Sequence, residues 1–157
     1  MGENPIDEYY DRYVEGWNNH DPETVMEAFA DGGTVSDPAT DGTLSGDEIR
    51  EWVEETTEGF PDVRFEVDRR SSDEEAGRLF VEWTMYGTHD GPFGPLPPTG
   101  ESVELSGVDV ICFSEDGITS IDGYFDMTEF KAELGLTFPA VIGTLPKLAV
   151  GAVKQAV

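Results

Sequence analysis

The chain has 157 residues, enough for one domain, and a domain of that size buries roughly two thirds of the surface its unfolded chain exposes. It carries 34 acidic and 9 basic residues, a net charge of −25 at pH 7, and such a field repels phosphate backbones and anionic headgroups alike. Nucleic acid and anionic membrane surfaces are therefore excluded as partners.

Near the N-terminus, Ile6, Tyr9, Tyr10, Tyr13, Val14 and Trp17 recur at helical spacing, predicting an amphipathic helix from about Pro5 to Asn18 with an aromatic buried stripe. Asp21-Pro22 reads as an N-cap with proline at the first helical position, opening a shorter helix that buries Val25, Met26 and Phe29 and stops at Asp31-Gly32-Gly33. A short strand, Thr34 to Asp37, leads into the loop Pro38 to Leu44. Ser45 and Glu48 then form a capping box for a third helix that buries Ile49, Trp52 and Val53 and closes at Phe60-Pro61-Asp62.

From Val63 the hydrophobic period changes to two, in Val63/Phe65/Val67, Leu79/Val81/Trp83/Met85, Val103 to Phe113 and Ile118 to Phe125. The Asp116-Gly117 pair suits a tight reversal, so the last two strands should form an antiparallel hairpin. Helices followed by a meandering sheet make an α+β fold. Between two of these strands lies Gly91 to Gly100, rich in proline and glycine and longer than a hairpin needs, as expected of a loop over the mouth of a cavity.

Residues 1–135 read as the domain and 136–157 as an apolar extension, partly helical, with Leu145, Leu148, Ala149, Ala152, Val153 and Ala156 along one side. Its expected place is against its own domain or a dimer mate, not a membrane. Cys112, the single cysteine, sits in an apolar strand and reads as a packing residue. The first residues lack the basic and apolar regions of a secretory signal, and no stretch is apolar enough for a membrane span, so the expected location is cytoplasmic. There is no phosphate loop and no metal-ligand spacing; His20 and His89 are too few and too far apart for zinc, and no metal or other cofactor is expected.

Asp109 breaks the otherwise apolar strand face Val103, Leu105, Gly107, Ile111, Phe113. Burial there raises its pKa, which makes a protonated hydrogen-bond donor; the plainer reading is a carboxylate satisfied by buried backbone or tyrosine groups. Asp37 ends a short strand before Pro38, where a carboxylate can face a cavity, although Asp-Pro is also ordinary turn chemistry. Tyr13 lies on the buried stripe, where its hydroxyl needs a partner.

RYVEGWNNHD, TVSDP and GVDVICF, in this order, resemble segments of bacterial ketosteroid isomerases over about residues 5 to 130. That resemblance implies a cone-shaped NTF2-like fold in which Tyr13 and a protonated Asp109 form an oxyanion hole and Asp37 shuttles a proton. GTHDGPFGPLPPTGESVELSGVDV and YFDMTEFKAELGL are similar to SnoaL-like polyketide cyclases of the same superfamily, which implies an acid/base aspartate, Asp126 or Asp122, with His89 nearby. Both families imply a small apolar carbonyl-containing ligand and a homodimer, and the aromatics Trp17, Phe29, Trp52, Trp83 and Phe93 are candidates to line or cover the pocket. The same cone also serves non-catalytic binding and assembly, so the fold does not choose between enzyme and binding protein.

Lysine occurs only at Lys131, Lys147 and Lys154, and this acidic, lysine-poor composition resembles that of proteins from extremely halophilic cells. In molar salt the Debye length falls to about 3 Å, which screens the mutual repulsion of the surface. The expected result is a melting temperature that rises steeply from low to molar KCl; a flat profile would refute it.

Overall fold

The computed structural model describes residues 5–156. Its elements are α1 (Pro5–Asn18), α2 (Pro22–Glu27), β1 (Phe29–Ser36), β2 (Leu44–Ser45), α3 (Asp47–Gly59), β3 (Arg64–Asp73), β4 (Arg78–Thr88), β5 (Ser102–Ser114), β6 (Gly117–Phe125), α4 (Met127–Glu133) and α5 (Ala140–Gln155). The strands form one sheet in the order β2-β1-β6-β5-β4-β3, antiparallel throughout except where β1 runs parallel to β6. This is the expected α+β architecture, with N-terminal helices on a curved, mostly antiparallel sheet.

The alternation along β4 turns Leu79, Val81, Trp83 and Met85 inward; the stripe of α1 packs Tyr10, Tyr13 and Trp17 into one core cluster with Leu79 and Val81, while Trp83 and Met85 join a second with Phe60, Leu105 and Phe130. Burying an aliphatic side chain of this kind contributes about 1.5–3 kcal/mol, so this seam carries much of the fold's stability. Helices α1 and α2 approach closely because Gly16 has no side chain: a Cβ there would stand 2.5 Å from the backbone nitrogen of Val25. Asp21 caps α2 as expected, accepting from the backbone N–H groups of Glu23 and Thr24. Arg70 on β3 ties the sheet to α1 by pairing with Asp7 and Asp11 and lying 5.4 Å from the centroid of the Tyr10 ring.

Several expectations are corrected. Helix α2 ends at Glu27, so Phe29 belongs to β1, where it pairs with Ile118. The capping box is half made: Glu48 accepts from the Ser45 N–H, but Gly46 holds the N-cap position and no side chain caps the helix. Strand β1 runs over Phe29–Ser36, longer than the segment Thr34 to Asp37.

The loop from His89 to Glu101 is closed by backbone hydrogen bonds between His89 and both Gly100 and Glu101, and pinned to the end of α3 by the Gly91 N–H donating to the Gly59 carbonyl. Helix α5 lies over that loop. Its inner face is Val141, Thr144, Leu148 and Gly151, so Leu145 and Val153 point outward instead of lining the packed side. Small residues decide this: Thr144 donates to the Gly135 carbonyl, and Gly151 sits where a Cβ would stand 2.3 Å from Pro97. Lys147 adds bonds to the Thr99 carbonyl and Glu101. Among the described residues no helix is long and apolar enough to cross a membrane.

Candidate active site

The mouth of the cone opens between α1, α3 and the inner face of the sheet onto a cavity of about 810 Å³, counted out to its open end. Its wall is apolar over most of its extent and includes Trp17, Trp52, Trp83 and Phe93, four of the five aromatics expected there. Phe93 comes from the loop over the mouth and meets Phe60 and Phe130 edge-on, so the extra length of that loop delivers an aromatic wall. Phe29 lies outside the cavity; it starts β1 at the end remote from Asp37 and meets Tyr13 edge-on at 5.9 Å.

Tyr13, Asp37 and Asp109 all line this cavity. Asp109 is 7 % exposed on β5, opposite Val81 on one neighbouring strand and Gly123 on the other. Desolvation raises its pKa to about 7; the Asp37 charge pushes it the same way, while the Trp83 indole and the Tyr10 hydroxyl act in the opposite direction. Asp37 follows the last residue of β1, and its Oδ1 accepts from the N–H groups of Ala39 at 2.7 Å and Thr40 at 2.9 Å. Burial raises its pKa too, against those two bonds. Both residues lie against Gly123, where a Cβ would stand 3.0 Å from the Asp37 Cβ and 3.2 Å from Asp109 Oδ1. A side chain at this position would crowd both.

The phenol that reaches Asp109 is that of Tyr10, donating to Oδ2 across 3.4 Å. Tyr13 is also buried, its ring 5.7 Å from that of Tyr10 and edge-on to that of Trp17 at 6.3 Å. Burial first, then the Asp109 charge, raises both phenols well above the ordinary tyrosine value, so both remain proton donors. Tyr10 was legible only as part of the α1 stripe: it lies one turn before Tyr13, and helical spacing does not distinguish the two.

The other candidates lie away from the cavity. Asp122, between the inward-facing Ile121 and Gly123, points to the opposite face of the sheet and accepts from the Ser36 hydroxyl. Asp126 is the N-cap of α4, bonded to the N–H groups of Thr128 and Glu129. His89 is fully buried beneath the loop, stacked on Phe60 at 5.1 Å; Nδ1 accepts from the Thr99 N–H, and burial lowers its pKa, which favours a neutral ring.

A family model for SnoaL-like polyketide cyclases matches residues 7–134, a span that contains every residue of the cavity wall. The chain belongs to the SnoaL-like polyketide cyclase family. Among solved structures it is similar to AclR from Streptomyces galilaeus, assigned provisionally as a hydroxylase, with 21 % identity, a TM-score of 0.72 and coverage of 96 % of this chain and 95 % of that one. It is also similar to a hypothetical protein from Catenulispora acidiphila DSM 44928 with a ketosteroid isomerase-like fold, in complex with trimethylamine (21 % identity, TM-score 0.70, coverage 85 % and 95 %). A third similar structure is SalBIII, an epoxide hydrolase/cyclase-like enzyme of pyran ring formation in the polyether salinomycin (22 % identity, TM-score 0.66, coverage 79 % and 92 %). At these identities the likeness extends to the fold of this SnoaL-like chain. No curated protein sequence matches it.

Proposed function

We propose that this SnoaL-like protein is an enzyme acting on a small apolar carbonyl compound, removing the acidic proton beside the carbonyl and stabilising the enolate, for isomerisation or for aldol ring closure. The observation that carries this reading is that a buried carboxyl group, Asp109, and a half-buried one of different basicity, Asp37, line one otherwise apolar cavity. Asp109 holds a proton more firmly than an ordinary aspartate by about three orders of magnitude, so it serves as donor. Asp37, less perturbed and at the end of a strand, serves as the base. In such unequal pairs, environment assigns the acid and the base. Tyr13 supplies a second donor toward the developing oxyanion, and Tyr10 steadies the Asp109 carboxyl. Pre-set donors of this kind act where charge develops, and removing one typically costs about a hundredfold to a thousandfold in turnover.

The test is binding of substituted phenols, as enolate mimics, to the wild type and to the Tyr13→Phe and Asp109→Ala variants in molar salt. The expected result is that the wild type prefers the more acidic phenols and that each substitution weakens them by tenfold or more. A wild type that binds no phenol, or binds all of them regardless of acidity, would sink the mechanism and leave a cone-shaped binding protein.

A further inference from the structure

Two buried side-chain nitrogens among the described residues have no hydrogen-bond partner: His89 Nε2, which lies outside the cavity, and Trp83 Nε1, whose ring forms part of the cavity wall. Leaving a buried donor unmade costs on the order of 1–3 kcal/mol, and folds rarely retain one without a use for it.

The local structure fixes the indole of Trp83 firmly in this position. Trp83 on β4 pairs with Gly107 on β5, and a Cβ on Gly107 would stand 2.3 Å from Cζ2 and 2.5 Å from Cη2 of that indole. The ring therefore lies directly on the β5 backbone, a place open to it only because residue 107 is glycine. Phe65 and Phe125 hold it edge-on from either side, at 5.7 and 6.2 Å between ring centroids. Gly107 and Asp109 share the inner face of β5, so the N–H edge of the clamped ring comes beside the Asp109 carboxyl without the geometry of a hydrogen bond to it.

An indole N–H donates and cannot accept, so what satisfies it must bring a lone pair. Apart from the Asp109 carboxyl, the walls nearby are Met85, Leu105, Phe125 and Phe65, none of which offers a side-chain oxygen. We propose that Trp83 is a ligand-facing donor whose N–H, together with Asp109, holds the same oxygen of the bound molecule. This rests on the function proposed above and narrows its substrate class to compounds whose reacting carbonyl is flanked by apolar surface on both sides, such as a ring ketone, so that the oxygen reaches the donors while the rest fills the aromatic walls.

The test uses the three tryptophans, Trp17, Trp52 and Trp83, as indole ¹⁵N–H reporters in the whole protein, titrated with an acidic phenol and, separately, with toluene. The expected result is a downfield shift of the Trp83 indole proton with the phenol but not with toluene. Trp83→Phe is expected to weaken the phenol by roughly tenfold to a hundredfold and toluene by much less, as for loss of one charge-assisted bond. If the phenol binds while the Trp83 signal stays in place, or if Trp83→Phe binds it unchanged, this inference fails and the enolate reading stands. If the wild type binds no phenol, both fail. Should Trp83→Phe not fold, the wild-type shift alone decides.

Discussion

Asp109→Asn removes a pH dependence of stability that the wild type carries between about pH 4 and pH 7. The folded-state pKa of Asp109 is raised from 3.8 to about 7, so through that interval the native state binds a proton that the unfolded chain has released. The stability this proton contributes is fully present below about pH 4 and is lost as pH rises through about 7. One carboxyl shifted this far amounts to on the order of 4 kcal/mol across the window. Asparagine keeps the shape and the donor without titrating, so the variant should be the more stable protein at pH 8 and lose that advantage toward pH 4. Urea midpoints of both proteins, at fixed molar salt, measure this directly, because the titrations of the other carboxyl groups cancel in the difference. Parallel midpoints across the whole range would mean that Asp109 is an ordinary carboxylate in the folded protein, and the donor half of the mechanism would go with it.

For Asp37→Asn the expected result is that catalysis is lost and binding is kept. A positioned base typically contributes about a hundredfold to ten-thousandfold. Deuterium uptake at the carbon beside the carbonyl of a panel of cyclic enones in D₂O should slow by that factor. The same variant should bind acidic phenols as well as the wild type or more tightly, since a negative charge next to Asp109 has been replaced by a neutral amide. Equal exchange rates in variant and wild type would remove Asp37 from the role of base. Loss of both exchange and phenol binding, with the fold intact, would make Asp37 a structural residue whose Asx turn to Ala39 and Thr40 shapes the mouth.

The two experiments probe one arrangement from its two ends. Desolvation acts on both carboxyl groups and more on the buried Asp109 than on the half-buried Asp37; Asp37 also retains two backbone N–H bonds that favour its charged form, whereas Asp109 has the Tyr10 hydroxyl at 3.4 Å and the Trp83 indole beside it. That difference, in burial first and in hydrogen bonding second, separates a base from a donor in a shared apolar space. Gly123 leaves room for the Asp37 Cβ and Asp109 Oδ1 against the β6 backbone, and Gly107 leaves room for the Trp83 ring.

Much of this was determined by the sequence. The 3.6-residue stripe of α1, the change to period two after Val63, and the Asp-Gly turn before β6 specify helices on a sheet, because each pattern buries a continuous apolar face in only one backbone conformation. Asp109 was visible as the one acid on an apolar strand face, and the long proline-rich loop as a cover. The tertiary structure decided what local patterns leave degenerate. Tyr10 and Tyr13 occupy the same helical stripe, and only the seating of α1 on the sheet sends one hydroxyl to Asp109, 99 residues away. The apolar α5 offers no polar face to orient it, so the small residues Thr144 and Gly151, where backbones approach closely, choose the side that packs. Asp122 and Asp126 are equivalent in sequence to other strand-end acids until strand parity and an N-cap remove them from the cavity. Gly107 and Gly123 have no side chains to announce a role; theirs follows from what the neighbouring strands bring against them.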